Sequence, residues 1–135
     1  MMNVLYDGST VEIEGTAQTL RELAQRIEDC AGVCDIQVAM TPGGDDRGLR
    51  RANVITVRIN TGPVNISPLE GRILISGSKA KLLVLVQNIR WLADKAAGGA
   101  QAKLKDHIHI EYHPDHFFLA EGALPMVVTK TECGG

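Results

Sequence analysis

Val11-Glu-Ile-Glu-Gly-Thr16 and Ile73-Leu-Ile-Ser-Gly-Ser78 share one pattern. Apolar residues alternate as in a half-buried strand, a glycine follows, and a hydroxyl residue stands where it can cap the first amides of a helix. The match continues in constant register: Leu20, Leu23, Gln25 and Ile27 fall on Leu82, Leu85, Gln87 and Ile89. This predicts two strand-then-helix units. The first helix, about Ala17 to Cys30, is amphipathic, with Ala17, Leu20, Leu23, Ala24 and Ile27 inward and Arg21, Glu22, Gln25 and Arg26 toward water. In the second, about Lys79 to Ala97, Leu82 to Val86 is apolar nearly all round, and Trp91 and Leu92 follow. More than one face of it must be covered, by the core or by a second copy of the chain, so a homodimer is one expectation. Gly98-Gly99 is placed to end it.

Beyond the helices the register shifts, because the second copy has the longer helix and the linker Gly98 to Asp106. Ile36, Val38 and Met40 then match Ile108, Ile110 and Tyr112, Pro42 matches Pro114, and Ile55 matches Val127. Asp7-Gly8 and Pro68 to Gly71 mark hairpin turns before the two strand-helix units. The expected fold is α+β: an internally duplicated β-β-α-β-β unit, pseudo-repeats 1–61 and 62–135 of a single domain, forming a mainly antiparallel sheet with two helices packed on one face.

Composition agrees with one domain. The chain has 135 residues, 44% hydrophobic and 22% charged, enough for one core and too few for two ordinary domains. A formal charge of -2 offers no broad basic face, so nucleic acid is not an expected partner. No apolar run approaches the roughly 20 residues of a membrane span, and the N-terminus has no leader-like pattern; a cytoplasmic location is expected. Cys30, Cys34 and Cys133 are read as reduced thiols, since an odd, sparse set is no disulfide framework.

The chemistry is concentrated in His107-Ile-His-Ile-Glu-Tyr-His-Pro-Asp-His116, which holds all four histidines. Period two puts His107, His109, Glu111 and His113 on one face of a strand and Ile108, Ile110 and Tyr112 on the other. The match to Ile36, Val38 and Met40 assigns the apolar set to the core, so the histidines face outward. A metal reading takes His107, His109 and Glu111 or His116 as ligands, able to activate water for hydrolysis. No complementary cluster of His, Cys, Asp or Glu lies elsewhere in the sequence, which favours a recognition surface working by hydrogen bonds. Asp115 and His116, adjacent at a turn, do not make a convincing acid-base pair, and no nucleophile is marked by its context. An enzyme is not expected. Gly43 to Arg51 is a polar loop leading into a strand, where a phosphate cradle would need a helix N-terminus. Counted as Thr41 to Ala52 it matches His113 to Leu124, and the two loops are expected to form one recognition edge.

The run from His107 to Val128 resembles immunity protein family 32 of bacterial polymorphic toxin systems. The family pattern is His-x-His, an acidic residue, Pro-Gly-His, a Leu, then Gly-Ser-x-Pro-Leu-Val. His107, His109, Glu111, Pro114, His116, Leu119, Gly122 and Pro125 fit it, and the stretch Ile75 to Leu92 is similar as well. Asp115 replaces the Gly, Ala123 the Ser and Met126 the Leu. Asp tolerates a left-handed turn, so that turn should survive. The resemblance implies a protein that binds a cognate toxin domain and neutralises it by occlusion. The partner-binding residues expected on that basis are His107, His109, Glu111, His113, His116 and Phe117, with Phe117 or Phe118 at the adjoining loop and one of the two in the core. No cofactor or metal is implied.

Overall fold

Thr16 and Ser78 act as caps. Thr16 Oγ1 accepts the Thr19 N–H at 3.2 Å and Ser78 Oγ accepts the Lys81 N–H at 3.3 Å, so each helix begins with one of its orphan amides satisfied. A computed structural model describes residues 2–38, 48–95 and 106–131. The capped helices are α1 (Ala17–Asp29) and α2 (Lys79–Asp94). Gly98-Gly99, Met40, Pro42, most of the Gly43 to Arg51 loop and Cys133 lie outside the described residues.

The described strands are β1 (Met2–Tyr6), β2 (Val11–Thr16), β3 (Val33–Gln37), β4 (Arg50–Arg51), β5 (Val54–Ile59), β6 (Asn65–Leu69), β7 (Arg72–Gly77), β8 (His107–Ile110) and β9 (Met126–Thr131). Apart from the short β4, their order with the helices is β-β-α-β-β twice, the break falling between β5 and β6. The class is α+β and the pairing mostly antiparallel, as expected. The single sheet is corrected to two: β4-β1-β2-β9-β8 and β3-β5-β7-β6. Each sheet joins the opening hairpin of one half to the closing hairpin of the other, through the parallel pairs β2–β9 and β5–β7. Alternation specifies which face of a strand is buried but not which strand lies beside it. Two helices side by side span about 20 Å, enough for roughly four strands; one large sheet would leave apolar strands bare.

The pairing also corrects the match between halves. Val11 pairs with Met126 and Ile73 with Ile55, so Ile55 corresponds to Met126, not to Val127. Ile36 pairs with Ile55 and Ile110 with Met126, which makes Ile36 the counterpart of Ile110 rather than of Ile108. In β8 the slip is two residues, a full strand period, so the predicted inward and outward faces survive there; in β9 it is one residue, which exchanges the faces, and Met126 and Val128 are buried where Val127 was expected to be. Asp35 thereby corresponds to His109.

One hydrophobic cluster joins the inward residues of both sheets to the helix stripes Leu20, Leu23, Ala24, Ile27 and Leu82, Leu85, Val86, Ile89, Leu92. The helices pack on each other and are tied at the rim by Arg21 to Asp94 (2.8 Å) and Arg90 to Glu28 (2.6 Å). The Arg90 guanidinium holds the Glu28 carboxyl below its ordinary value. Val84 is partly buried against the core, so most of the apolar surface of α2 is absorbed within the chain; Leu83 and Trp91 stay exposed. Cys30 is buried and donates its thiol to the Val57 carbonyl at 3.6 Å. Burial, then the neighbouring Cys30, pushes the Cys34 thiol up to about 11.

The paired glycines Gly15 and Gly77 are not equivalent. A Cβ on Gly77 would stand 3.0 Å from Val64 Cα and 3.3 Å from Val64 N, whereas one on Gly15 would meet side-chain carbons at 3.5 Å. Gly77→Ala is therefore expected to cost about 1–3 kcal/mol in urea unfolding, with Gly15→Ala close to the parent. Equal costs at the two sites would contradict this account of the backbone approach.

The described ends of the two long loops lie on different sheets. The Ala52 N–H donates to Val4 O at 2.9 Å, and the Leu124 N–H donates to Ile66 O at 3.0 Å. Arg50 to Ala52 thus borders β1, and Phe118 to Leu124 borders β6. The matching of the loop ends holds, but the described ends do not share one sheet edge, because each loop lies inside a closing hairpin of one sheet and its end meets an opening strand of the other.

Candidate functional site

Strand geometry carries the histidine segment only as far as Ile110. Within β8 the alternation is as expected: His107 and His109 are exposed, Ile108 is partly buried against the core and Ile110 is 4% exposed. Pairing with β9 ends at Ile110–Met126. Tyr112, expected in the core, is instead 36% exposed. With no β9 residue beyond Met126 to hold it, the chain leaves the sheet and turns.

That turn is built by Pro114 and Asp115. The His116 N–H donates to His113 O at 3.0 Å, and Asp115 has φ 68°. A type II turn needs positive φ at its third position and favours proline at its second, and Asp115 takes the positive φ where Gly is the easier residue. The turn delivers the His116 ring over the chain that follows. Its Nδ1 accepts the N–H groups of Phe118 (3.3 Å) and Leu119 (3.0 Å). Phe118 O in turn accepts the Val64 N–H at 2.7 Å, and the Ala120 N–H returns to Val64 O at 2.7 Å. Residues 116–120 are thus fastened to the edge of the second sheet. Phe118 is buried, at 5% exposed, and Phe117 stands out at 70%, so one phenylalanine is core and the other is surface.

The site residues fall into two connected groups. His109, Glu111, His113 and His116 line a groove of about 480 Å³ between β8 and the outer face of α2, where Asn88 and Trp91 form the opposite wall. His107 is outside the lining but meets His109 edge-to-face, ring centroids 5.0 Å apart. Phe117 lies flat against His116 (5.6 Å, 2° between planes), and Tyr112 stacks nearby at 6.4 Å and 27°. Trp91 is 59% exposed, with Lys95 Nζ 5.3 Å from its ring centroid. The groove is mixed in character, with Ile108, Ile110 and Phe118 beside the polar side chains, and the exposed rings of Trp91, Tyr112 and Phe117 lie on it or against His116, an arrangement suited to contact with a protein surface.

Strand alternation in the histidine segment gives no sign of Asn88, Trp91 or the exposure of Tyr112. A signal for Trp91 was present: the register between helices sets it opposite Asp29, an exposed position. Among the described residues no group of three His, Cys, Asp or Glu side chains comes together to hold a metal ion, and His116 Nδ1 is already committed to two backbone donors. None of the described helices is long and apolar enough to cross a membrane.

Burial first, and the nearby His113 second, lower the His116 pKa below its ordinary value. The unfolded chain binds a proton near the ordinary value of 6.5, while the folded chain resists it until lower pH. Stability from this residue is therefore full above about 6.5 and is lost as pH falls from there toward the depressed folded value. His116→Asn supplies an uncharged acceptor in place of Nδ1. Urea midpoints measured between about pH 7 and 5 should fall less in this variant than in the parent; equal slopes would contradict the assignment.

The family model described as Immunity protein 32 matches residues 10–50 and 72–131. The first stretch spans β2, α1 and β3; the second runs from β7 to the end of β9 and includes the groove. No curated protein matches the chain, and no solved structure does.

Proposed function

The chain belongs to the immunity protein 32 family, and from that membership we propose that it binds a cognate protein toxin domain and neutralises it by covering the toxin's active site. The observation that carries this reading is the groove between β8 and α2, where His109, Glu111, His113 and His116 line one wall and Trp91 and Phe117 project beside it. Interfaces draw their affinity from a few large anchors with a polar surround, and this surface offers both. Its backbone is set before binding, since the His116 turn is closed by its own hydrogen bonds. Preformed surfaces lose less entropy on association. Occlusion requires no bond-making by this chain, and the toxin-producing cell, where the immunity protein must meet the toxin, is the expected location.

The test uses the C-terminal domain encoded by the neighbouring gene of a secreted toxin. The parent chain should capture that domain in a pull-down, and His109→Ala and Glu111→Ala should each weaken capture by about tenfold or more. Full capture by both variants would remove the binding site from this face.

A further inference from the structure

The corrected register makes the two halves comparable at the strand edges, and one edge differs from its counterpart. In the first sheet β1 is flanked by β4, and in the second β6 is flanked by the segment around Leu119. The remaining edges among the described residues are β3 and β8. In β3 the residues bonded inward to β5 are Cys34 and Ile36, as the flanking bonds Ile59 N to Gly32 O (2.7 Å) and Val38 N to Asn53 O (2.9 Å) require. Asp35 points its backbone outward, and Arg26 of α1 reaches down to donate to its carbonyl at 3.4 Å. That edge is capped by a side chain.

At β8 the Lys130 N–H donates to Asp106 O at 2.8 Å, so Ile108 and Ile110 bond inward to β9 and the N–H and C=O of His109 point outward. His109 is the counterpart of Asp35, and Asn88 is the counterpart of Arg26. Asn88 is exposed, shorter than arginine, and faces His109 across the groove of about 480 Å³. The same position that closes one edge leaves the other with a trough whose floor is an outward-facing peptide. An outward N–H and C=O flanked by alternating side chains is the recognition element for an extended backbone.

Charge specifies the segment further. Glu111 is the one formally charged residue lining the groove, and the nearby Lys95 is paired with Asp106 at 3.6 Å, so a basic segment is complementary to this edge.

We propose that β8 takes up an extended, basic segment of the toxin, which adds to the sheet beside His109 in the groove under Asn88 and Trp91. This rests on the toxin-binding reading above and names the mode of contact. Strand addition fixes both register and direction through main-chain bonds, while the neighbouring side chains select the sequence.

The test is binding to the toxin domain of the neighbouring gene with three chains compared. Asn88→Arg restores the cap seen at the other edge and should weaken binding by about tenfold or more. Gln87→Arg adds the same charge at an adjacent exposed position and should bind within about threefold of the parent. In amide hydrogen exchange, the His109 N–H should become protected in the parent complex. If the parent binds while Asn88→Arg binds equally well and His109 stays unprotected, strand addition is wrong and the toxin-binding reading stands. Equal losses in both arginine variants would make the effect one of charge and overturn the capping argument. If the parent itself does not bind, the reading fails and the inference falls with it.

Discussion

Leu85→Ala is expected to lower the unfolding free energy by about 2–5 kcal/mol, and Leu83→Ala by less than about 1 kcal/mol. The substitutions remove the same atoms from opposite faces of α2. Leu85 is 0% exposed within the cluster that joins both sheets to both helices, whereas Leu83 is 36% exposed. Truncating Leu85 leaves a cavity among elements fixed from several sides: α1 is packed on α2, and the sheets are locked by their parallel pairs. Such a site collapses poorly, which puts the cost toward the upper part of the range. A small domain holds about 5–15 kcal/mol in all, so the variant should show a clearly lower urea midpoint. Similar losses for Leu83→Ala and Leu85→Ala would mean that α2 is not buried as described.

The second large effect concerns affinity and leaves the fold alone. Trp91→Ala and Phe117→Ala are each expected to weaken toxin binding by about thirtyfold or more, the cost of losing an anchor worth about 2 kcal/mol. Both rings are mostly exposed, so the unfolding free energy should change by no more than about 0.5 kcal/mol. The two act from different elements, α2 and the turn after β8, and share the groove between them. Calorimetric titration of the toxin domain with each variant, beside a urea titration of the variant alone, separates the readouts. Unchanged affinity in both variants would show that the aromatic rim is not the contact surface.

Local chemistry was legible in the sequence where neighbours along the chain decide it. Thr16 and Ser78 cap their helices, the stripes of Leu20 and Leu82 are buried in matching phase, and His107 and His109 face outward from β8. Asp115 takes the left-handed conformation that the turn needs. What could not be read depends on distant partners. Nothing in Val11 or Met126 states that they pair in parallel, since each shows only an apolar residue in a strand phase. The expected match of Ile36 to Ile108 was displaced by a strand period because alternation is blind to a slip of two. Tyr112 was assigned inward by extending that alternation beyond the last pairing of β8 with β9. The groove itself joins α2 to β8 across the intervening linker, and only the folded chain brings Asn88 and Trp91 to His109. His116 was read as a contact residue; its ring also organises the loop through Phe118 and Leu119.

Occlusion of a toxin by this surface is tested most directly by toxin activity during titration with the purified chain. Activity of the neighbouring gene's toxin domain should fall to zero as the parent chain reaches an equimolar ratio, while Trp91→Ala should need a large excess to reach the same point. Full toxin activity in the presence of excess parent chain would contradict the account.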